Sequence, residues 1–500
     1  VILVVLISKK SSSILSYHAD IMRIFTFMRP LYSVESVKNE ASVKTALRHF
    51  GHMPNMSLLY VAATLENLNV EVLYIDPVGM ELSPSDVDAK LQQFDPDIVG
   101  LSSFTNKIHT THLYAQHIMA LLPDTKIMVG GAHTWDFPTD TLKYHPAFDY
   151  ACVGEAEIVL PEFVERWNGN ESFDGMNGLV RRDGDQIQFA GRPDVNMDLD
   201  SRPFPARHLT PNEKYYNFIS TRRNYTIFNT SQGCPFQCIF CNVSGTKYRM
   251  RSAANVVAEF EECYENFGVR EVDIFDSSFT VSKKRVMEIC RLLVKNGLGK
   301  KMIWDVRSRV DTIDEEMLDA LKEAGCYRIF YGIESADQKI LKKLRKEIKI
   351  DRIEQIVRKT DQLGISVFGY FLVGSPGETP ETFRTTVEFA KRLPIDFAMF
   401  SVLTAHPKTE LYEKYYLPAV QHDFWEDYLA NSDLEGKFMG RPWTDISDAE
   451  LERLAHRATN EFYFRPKQIY RAIRTVKSMD QMKRYIAAGW DMLWNYLVRY

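Results

Sequence analysis

Five hundred residues, 45% apolar and 25% charged, describe a soluble globular chain of two to four domains. A net charge of −5 leaves no global basic field and argues against nucleic acid as a partner. Cys152, Cys263, Cys290 and Cys326 are scattered in apolar contexts and read as buried free thiols of a reducing compartment.

The apolar run Val1–Ile7 is too short to span a bilayer and has no basic region before it, so it is a poor signal peptide. The strand-like run Arg23–Met28 begins just after Met22, so residues 1–21 are expected to be an extraneous or disordered extension. From 22 to 168, short apolar runs at 70–75, 98–102, 126–129 and 150–153 alternate with helical patterns at 57–65, 85–94, 109–122, 139–144 and 157–167. That alternation predicts an α/β domain with a doubly wound parallel sheet. Ligands of such sheets sit beyond the carboxyl ends of the strands. Three of those ends carry small or polar residues: Ser102-Ser103-Phe104-Thr105, Gly130-Gly131-Ala132-His133 and Gly154-Glu155. The first strand is followed by no G-x-G-x-x-G, which disfavours a dinucleotide.

Residues 169–222 read as a hairpin turning at Arg182-Asp183-Gly184-Asp185, then a proline-rich linker. From 223 to 412 six strand–helix units follow, with strands at 225–230, 271–275, 302–306, 327–333, 366–373 and 396–403. They predict a partial (β/α)6 TIM-type barrel with its function at the carboxyl ends of the strands. The first strand ends in Cys234, Cys238 and Cys241 at C-x3-C-x2-C spacing. Three neighbouring thiolates suggest an iron–sulfur cubane with one open iron. Structural zinc is the alternative and would want a fourth nearby ligand. Other strand ends carry Asp276-Ser277-Ser278, Arg307, Gly332-Ile333-Glu334 and Gly374-Ser375-Pro376-Gly377-Glu378. Residues 413–500 are helical, with helices at 448–463 and 466–499. The last of these is basic and ends in Trp490, Trp494 and Tyr496.

Residues 225–412 resemble the radical S-adenosylmethionine (SAM) superfamily through the cysteine spacing, with Phe240 before the last cysteine. The first domain resembles the cobalamin-binding domain that precedes the barrel in one branch of that superfamily. The resemblance rests on Pro54–Ala63, Gly130-Gly131-Ala132-His133 and Val153-Gly154-Glu155. It implies a [4Fe–4S] cluster on Cys234, Cys238 and Cys241, and SAM contacts from Phe240, Ser277, Arg307, Gly332, Glu334 and Gly374. It implies cobalamin contacts from Ser102, Ser103, Thr105, Gly130, Gly131, His133, Gly154 and Glu155. The chain departs from the family in lacking a D-x-H-x-x-G motif and in having Arg29-Pro30 in its first loop. His109, His112, His117 and His133 remain as candidates for the lower cobalt ligand.

The implied activity is methyl transfer to an unactivated carbon by way of a 5′-deoxyadenosyl radical and methylcobalamin. An oxidative cyclase or rearrangement enzyme is the near alternative, and a non-catalytic corrinoid or metal sensor the distant one. A methylthiotransferase is disfavoured because the first domain holds only Cys152. The implied partners are a small or lipid-like substrate and an electron donor such as flavodoxin or ferredoxin. The expected location is the cytoplasm, and the carboxyl-terminal helices read first as a solvated helical lid packed on the barrel, with peripheral membrane contact through them as the sharper alternative.

Overall fold

The computed structural model describes residues 22–27 and 51–499, apart from 421 and 438. The expected extension at 1–21 and the Arg29-Pro30 loop lie outside the described residues, as do the side chains of Trp494 and Tyr496. The chain forms two compact units.

The first unit is built on β1 (Met22–Phe27), α1 (Met56–Glu66), β2 (Val70–Ile75), α2 (Pro84–Phe94), β3 (Ile98–Ser102) and α3 (Ile108–Leu121). β4 (Lys126–Gly130), α4 (Ala132–Asp136), α5 (Pro138–Tyr144), β5 (Tyr150–Cys152) and α6 (Ala156–Gly169) complete the alternation. The strands run in the order β2-β1-β3-β4-β5 and are all parallel. The hairpin β6 (Leu179–Asp183) and β7 (Gln186–Phe189) was expected as part of the link. It instead extends this sheet antiparallel to β5. β3 and β4 are apolar and almost wholly buried, as a sheet covered on both faces requires. α2 starts at a capping box, with Ser83 and Asp86 satisfying each other's backbone N–H groups. A second departure from expectation is that α7 (Phe424–Ala430), far along the chain, belongs to this unit. The Tyr428 carbonyl lies 2.6 Å from Nε2 of His109, and Glu435 accepts from the Thr110 N–H at 3.0 Å.

The second unit is the barrel. Its strands β8 (Tyr225–Phe228), β11 (Glu271–Ile274), β12 (Ile303–Ser308), β13 (Cys326–Glu334), β14 (Ser366–Val373) and β15 (Phe397–Val402) pair in that order, all parallel. The helices 253–265, 283–295, 315–323, 350–362 and 380–392 connect them from outside. The strand expected over 225–230 stops at Phe228, because the chain turns into a separate antiparallel pair, β9 (Ser231–Cys234) with β10 (Thr246–Met250). At the carboxyl end, the helix expected over 466–499 is two helices, Pro466–Thr475 and Met479–Arg499. The break falls where Ser478 Oγ accepts from the Gln481 N–H at 3.1 Å, a new helix start.

Candidate functional site

The cysteine loop lies inside the β9–β10 hairpin. Gly233 opens it at φ +79°, and a Cβ there would run into the Lys247 carbonyl across the hairpin, so only glycine fits. The Gly245 N–H and the Ser244 hydroxyl both donate to the Phe236 carbonyl at 2.8 Å and fold the loop back. Ile239, 2% exposed, pins its centre, donating to Leu344 and accepting from Leu411.

At the loop's entry stands Asp276, at the end of β11. Its carboxylate accepts from the N–H of Thr230 (2.6 Å) and of Ser231 (3.0 Å) and from both their hydroxyls. The Arg285 guanidinium lies 3.6 Å away. Asp276 thus positions the loop through Thr230 and Ser231, while the neighbouring Ser277 is exposed.

All three cysteines are free and partly buried. Burial pushes the thiols of Cys238 and Cys241 up, and the neighbouring thiols push them further. Two cations oppose this. Arg309 donates to Cys238 Sγ at 3.5 Å, with its guanidinium 4.0 Å over the Phe236 ring and its other donors on Asp311. Lys346, 5% exposed, favours the thiolates of Cys238 and Cys241. Among the described residues no three metal-binding side chains are gathered for a single ion. The donor set of three adjacent thiols with two nearby cations fits an iron–sulfur cluster held by thiolates.

Glu334 ends β13 in a left-handed conformation (φ +65°) and pairs with Lys346. A Cβ on Gly332 would meet Lys346 Nζ at 2.5 Å, so this glycine lets the lysine pass. Phe240 is half-buried in the loop. Gly374 takes φ +83°. Its N–H donates to Glu378 at 2.6 Å and its carbonyl accepts from the Trp443 indole at 2.8 Å. Arg307 faces the barrel interior, grips Asp273 with two nitrogens and lies 3.7 Å over the Phe275 ring. The structure therefore brings Glu334 and Gly332 against Lys346, whose charge acts on the thiols of Cys238 and Cys241. It commits the Arg307 guanidinium to Asp273. Arg309 and Lys346 escaped the sequence reading, which placed Asp276 at a strand end but not as the anchor of the loop. Arg309 was within reach of that reading, two residues beyond Arg307 on the same strand end. No local signal marks Lys346.

In the first unit the ends of β3 and β4 interlock. Ser103 donates its N–H to the Gly130 carbonyl at 2.8 Å and accepts the His133 N–H at 3.1 Å. Gly131 has φ +102°, and a Cβ there would lie 2.7 Å from Ser102 Oγ and 2.8 Å from the Ser103 carbonyl oxygen. Thr105 Oγ1 is 3.2 Å from His133 Nδ1, and His133 Nε2 is buried without a hydrogen-bond partner. At the end of β5, Gly154 takes φ +99° against Pro193, while the Glu155 carboxylate is committed to Arg202. Among the candidate histidines, His117 is exposed and pairs with Asp88 at 2.9 Å. His109 packs with His145 and Tyr428. Burial lowers the imidazole of His112 to about 4 and holds that of His133 well below its ordinary value, so both are neutral at pH 7. An orphaned buried nitrogen and a glycine cradle beside serine hydroxyls suit a large polar-edged ligand such as cobalamin.

The sequence pattern of the B12 binding domain matches residues 46–164, and that of the Radical SAM superfamily matches 228–390. An uncharacterized methyltransferase of Pyrococcus horikoshii is 29% identical over 87% of this chain and 92% of its own. The cytidylyl-2-hydroxyethylphosphonate methyltransferase of Streptomyces wedmorensis is 29% identical over 69% of this chain and 74% of its own. The anaerobic magnesium-protoporphyrin IX monomethyl ester cyclase of Rubrivivax gelatinosus is 29% identical over 73% and 66%. Among solved structures, the radical SAM methyltransferase TsrM from Kitasatospora setae, with cobalamin and a [4Fe–4S] cluster bound, superposes with a TM-score of 0.61. That match has 20% identity and covers 74% of this chain and 76% of that one, a likeness of fold. With both domains present in this order, the chain belongs to the cobalamin-binding-domain-containing radical SAM enzymes, whose cofactors are a [4Fe–4S] cluster, SAM and cobalamin.

Proposed function

We propose that this enzyme transfers a methyl group to an unactivated carbon of a small-molecule substrate. The observation that carries the proposal is the joining, in one chain, of the β3–β4 glycine cradle to a barrel whose first strand leads into three thiols flanked by Arg309 and Lys346. Methyltransferases among its relatives support it. When bound, the cluster with SAM supplies a carbon-centred radical and cobalamin the transferable methyl group.

The chain's own residues hold and exclude. Cys234, Cys238 and Cys241 would ligate the cluster, while Arg309 and Lys346 favour the thiolate of Cys238 and Lys346 that of Cys241. Phe240, Ser277, Gly332, Glu334 and Gly374 would line the SAM site, and Arg307 would act from the barrel interior on its Asp273 anchor. Ser102, Ser103, Thr105, Gly130, Gly131, His133, Gly154 and Glu155 would line the cobalamin site. Of these, Glu155 would act through its pair with Arg202.

An electron donor such as flavodoxin or ferredoxin and a cytoplasmic location complete the reading. No helix among the described residues is long and apolar enough to cross a membrane. Peripheral contact with anionic lipid is proposed for the last two helices. They expose Ile469 (48%), Ile473 (57%), Ile486 (64%) and Trp490 (65%) among Lys467, Arg474 and Lys483. Deleting residues 466–500 is expected to abolish sedimentation with phosphatidylserine vesicles, and undiminished sedimentation would discard the contact.

Cyclisation is kept as a second reading because a cyclase is among the relatives. Anaerobic reconstitution followed by product analysis decides. 5′-Deoxyadenosine together with S-adenosylhomocysteine supports methylation. 5′-Deoxyadenosine alone favours cyclisation, and neither product, with the cluster intact, favours a sensor.

A further inference from the structure

The parallel register arranges the inward-facing barrel residues in rows. One row runs Arg307, Phe330, Phe368 and Phe397, and the next toward the mouth runs Gly332, Tyr370 and Met399. Phe275, two residues beyond Asp273 on the same face, joins the first row by lying on the Arg307 guanidinium. Phe330, Phe368 and Phe397 are 3%, 8% and 5% exposed and close the barrel beneath with Ile219. Above them the apolar surface is bare: Phe275 is 39% and Met399 48% exposed.

The charge in this floor is already matched. Arg307 is held by both Asp273 oxygens and lies between the rings of Phe275 (3.7 Å) and Phe330 (4.7 Å). Burial and the neighbouring Asp273 raise the carboxyl of Asp305, one row deeper, while Arg328, 3.8 Å from it, opposes the shift. Arg328 beside it is 2% exposed and donates to the Ile219 carbonyl at 2.9 Å. No cation in these rows lacks a partner, so an incoming anion would surrender its hydration for nothing. Bare apolar side chains in a concave interior mark a surface that a ligand covers.

We infer that the substrate lays a carbon-rich, uncharged face on the floor formed by Phe275, Tyr370 and Met399 over the neutralised Arg307–Asp273 pair. This rests on the radical SAM reading and narrows its substrate to an apolar class.

Two probes of one skeleton test it. N-phenyl-1-naphthylamine is neutral, and 8-anilinonaphthalene-1-sulfonate adds a sulfonate. Equilibrium dialysis against the full chain, loaded with cluster and cobalamin, is expected to find one saturable site for the neutral probe. The sulfonate should bind at least about tenfold more weakly there. Met399→Gln keeps the side chain's length and is expected to weaken the neutral probe about tenfold, and Phe275→Ser at least as much. Val294→Ser, at a residue equally exposed (38%) on an outer helix, should change nothing. Unchanged affinity in Met399→Gln, or equal affinity for the two probes, overturns the inference. 5′-Deoxyadenosine release by the unaltered enzyme under dithionite is measured alongside. Its absence would strike the radical SAM reading while leaving the probe result to judge the floor.

Discussion

Replacing Asp276 tests whether the cysteine loop is positioned by a carboxylate outside it. The side chain is 1% exposed and accepts four hydrogen bonds, at 2.5 to 3.0 Å, from Thr230 and Ser231. Hydrogen bonds to a charged group contribute roughly 1.5–3 kcal/mol each, and four would sum to ~6–12 kcal/mol if nothing relaxed. Water entry and hydroxyl rotation reduce that. Removing one partner of a buried ionic cluster costs about 3–5 kcal/mol, and Asp276→Ala is expected in that range because it also strands Arg285. For a domain of this size the loss amounts to a fall in Tm on the order of 10 °C. Asp276→Asn keeps one acceptor oxygen and the shape, and should lose only ~1–2 kcal/mol. Calorimetry ranks the stabilities, and iron per chain after anaerobic reconstitution reads the loop. The expected order for both is unaltered enzyme, then Asn, then Ala. If the alanine variant binds iron fully and melts within about 2 °C of the unaltered enzyme, Asp276 does not anchor the loop.

Glu378 gives a pH signature, because burial raises its carboxyl from 4.5 to about 7 although the N–H groups of Gly374 and Ser375 oppose the shift. A raised carboxyl gives stability that is complete below pH 4.5 and lost as pH rises through 7. The loss is about 3 kcal/mol, so Glu378→Gln should flatten the fall in Tm between pH 5 and 8. Gly131→Ala would force a left-handed alanine against Ser102 and Ser103, and cobalamin retained on gel filtration is expected to drop well below one per chain. Lys346→Met removes the charge that favours the thiolates of Cys238 and Cys241 and strands Glu334. Cluster-free protein should then alkylate more slowly at pH 8 and melt earlier by several degrees.

The fold was legible where local signals agreed with the tertiary pattern. The helix 380–392 begins at Pro380 after a Thr379 capping box, a helix start that its own residues write. The apolar runs of β3 and β14 are strands in both readings because buried parallel strands need no alternation. β9 was missed because Ser231-Gln232-Gly233-Cys234 has no apolar periodicity, and it pairs only because β10 folds back on it. The Thr475–Met479 break was missed with its signal in view, since Ser478 is an ordinary helix start.

The site divides differently. Cys234, Cys238 and Cys241 were legible because their spacing is itself the chemistry. What makes the thiols usable is long-range: Arg309 reaches Cys238 across 71 residues, and Asp276 reaches Thr230 across 46. Such pairs are fixed by the register of neighbouring parallel strands, which no single strand encodes. Register also explains why Arg307 reads in the sequence as a candidate contact for a charged cofactor and in the fold as half of a buried pair. Asp273 and Asp305 lie side by side in the sheet, and two adjacent carboxylates in a barrel core require a cation. Arg307 meets that need before any ligand arrives. A barrel that matches its interior charge in this way leaves only its thiol loop and the Glu334–Lys346 corner to handle charge. On the inference of an apolar floor, it recognises the rest of its substrate by shape and apolar contact.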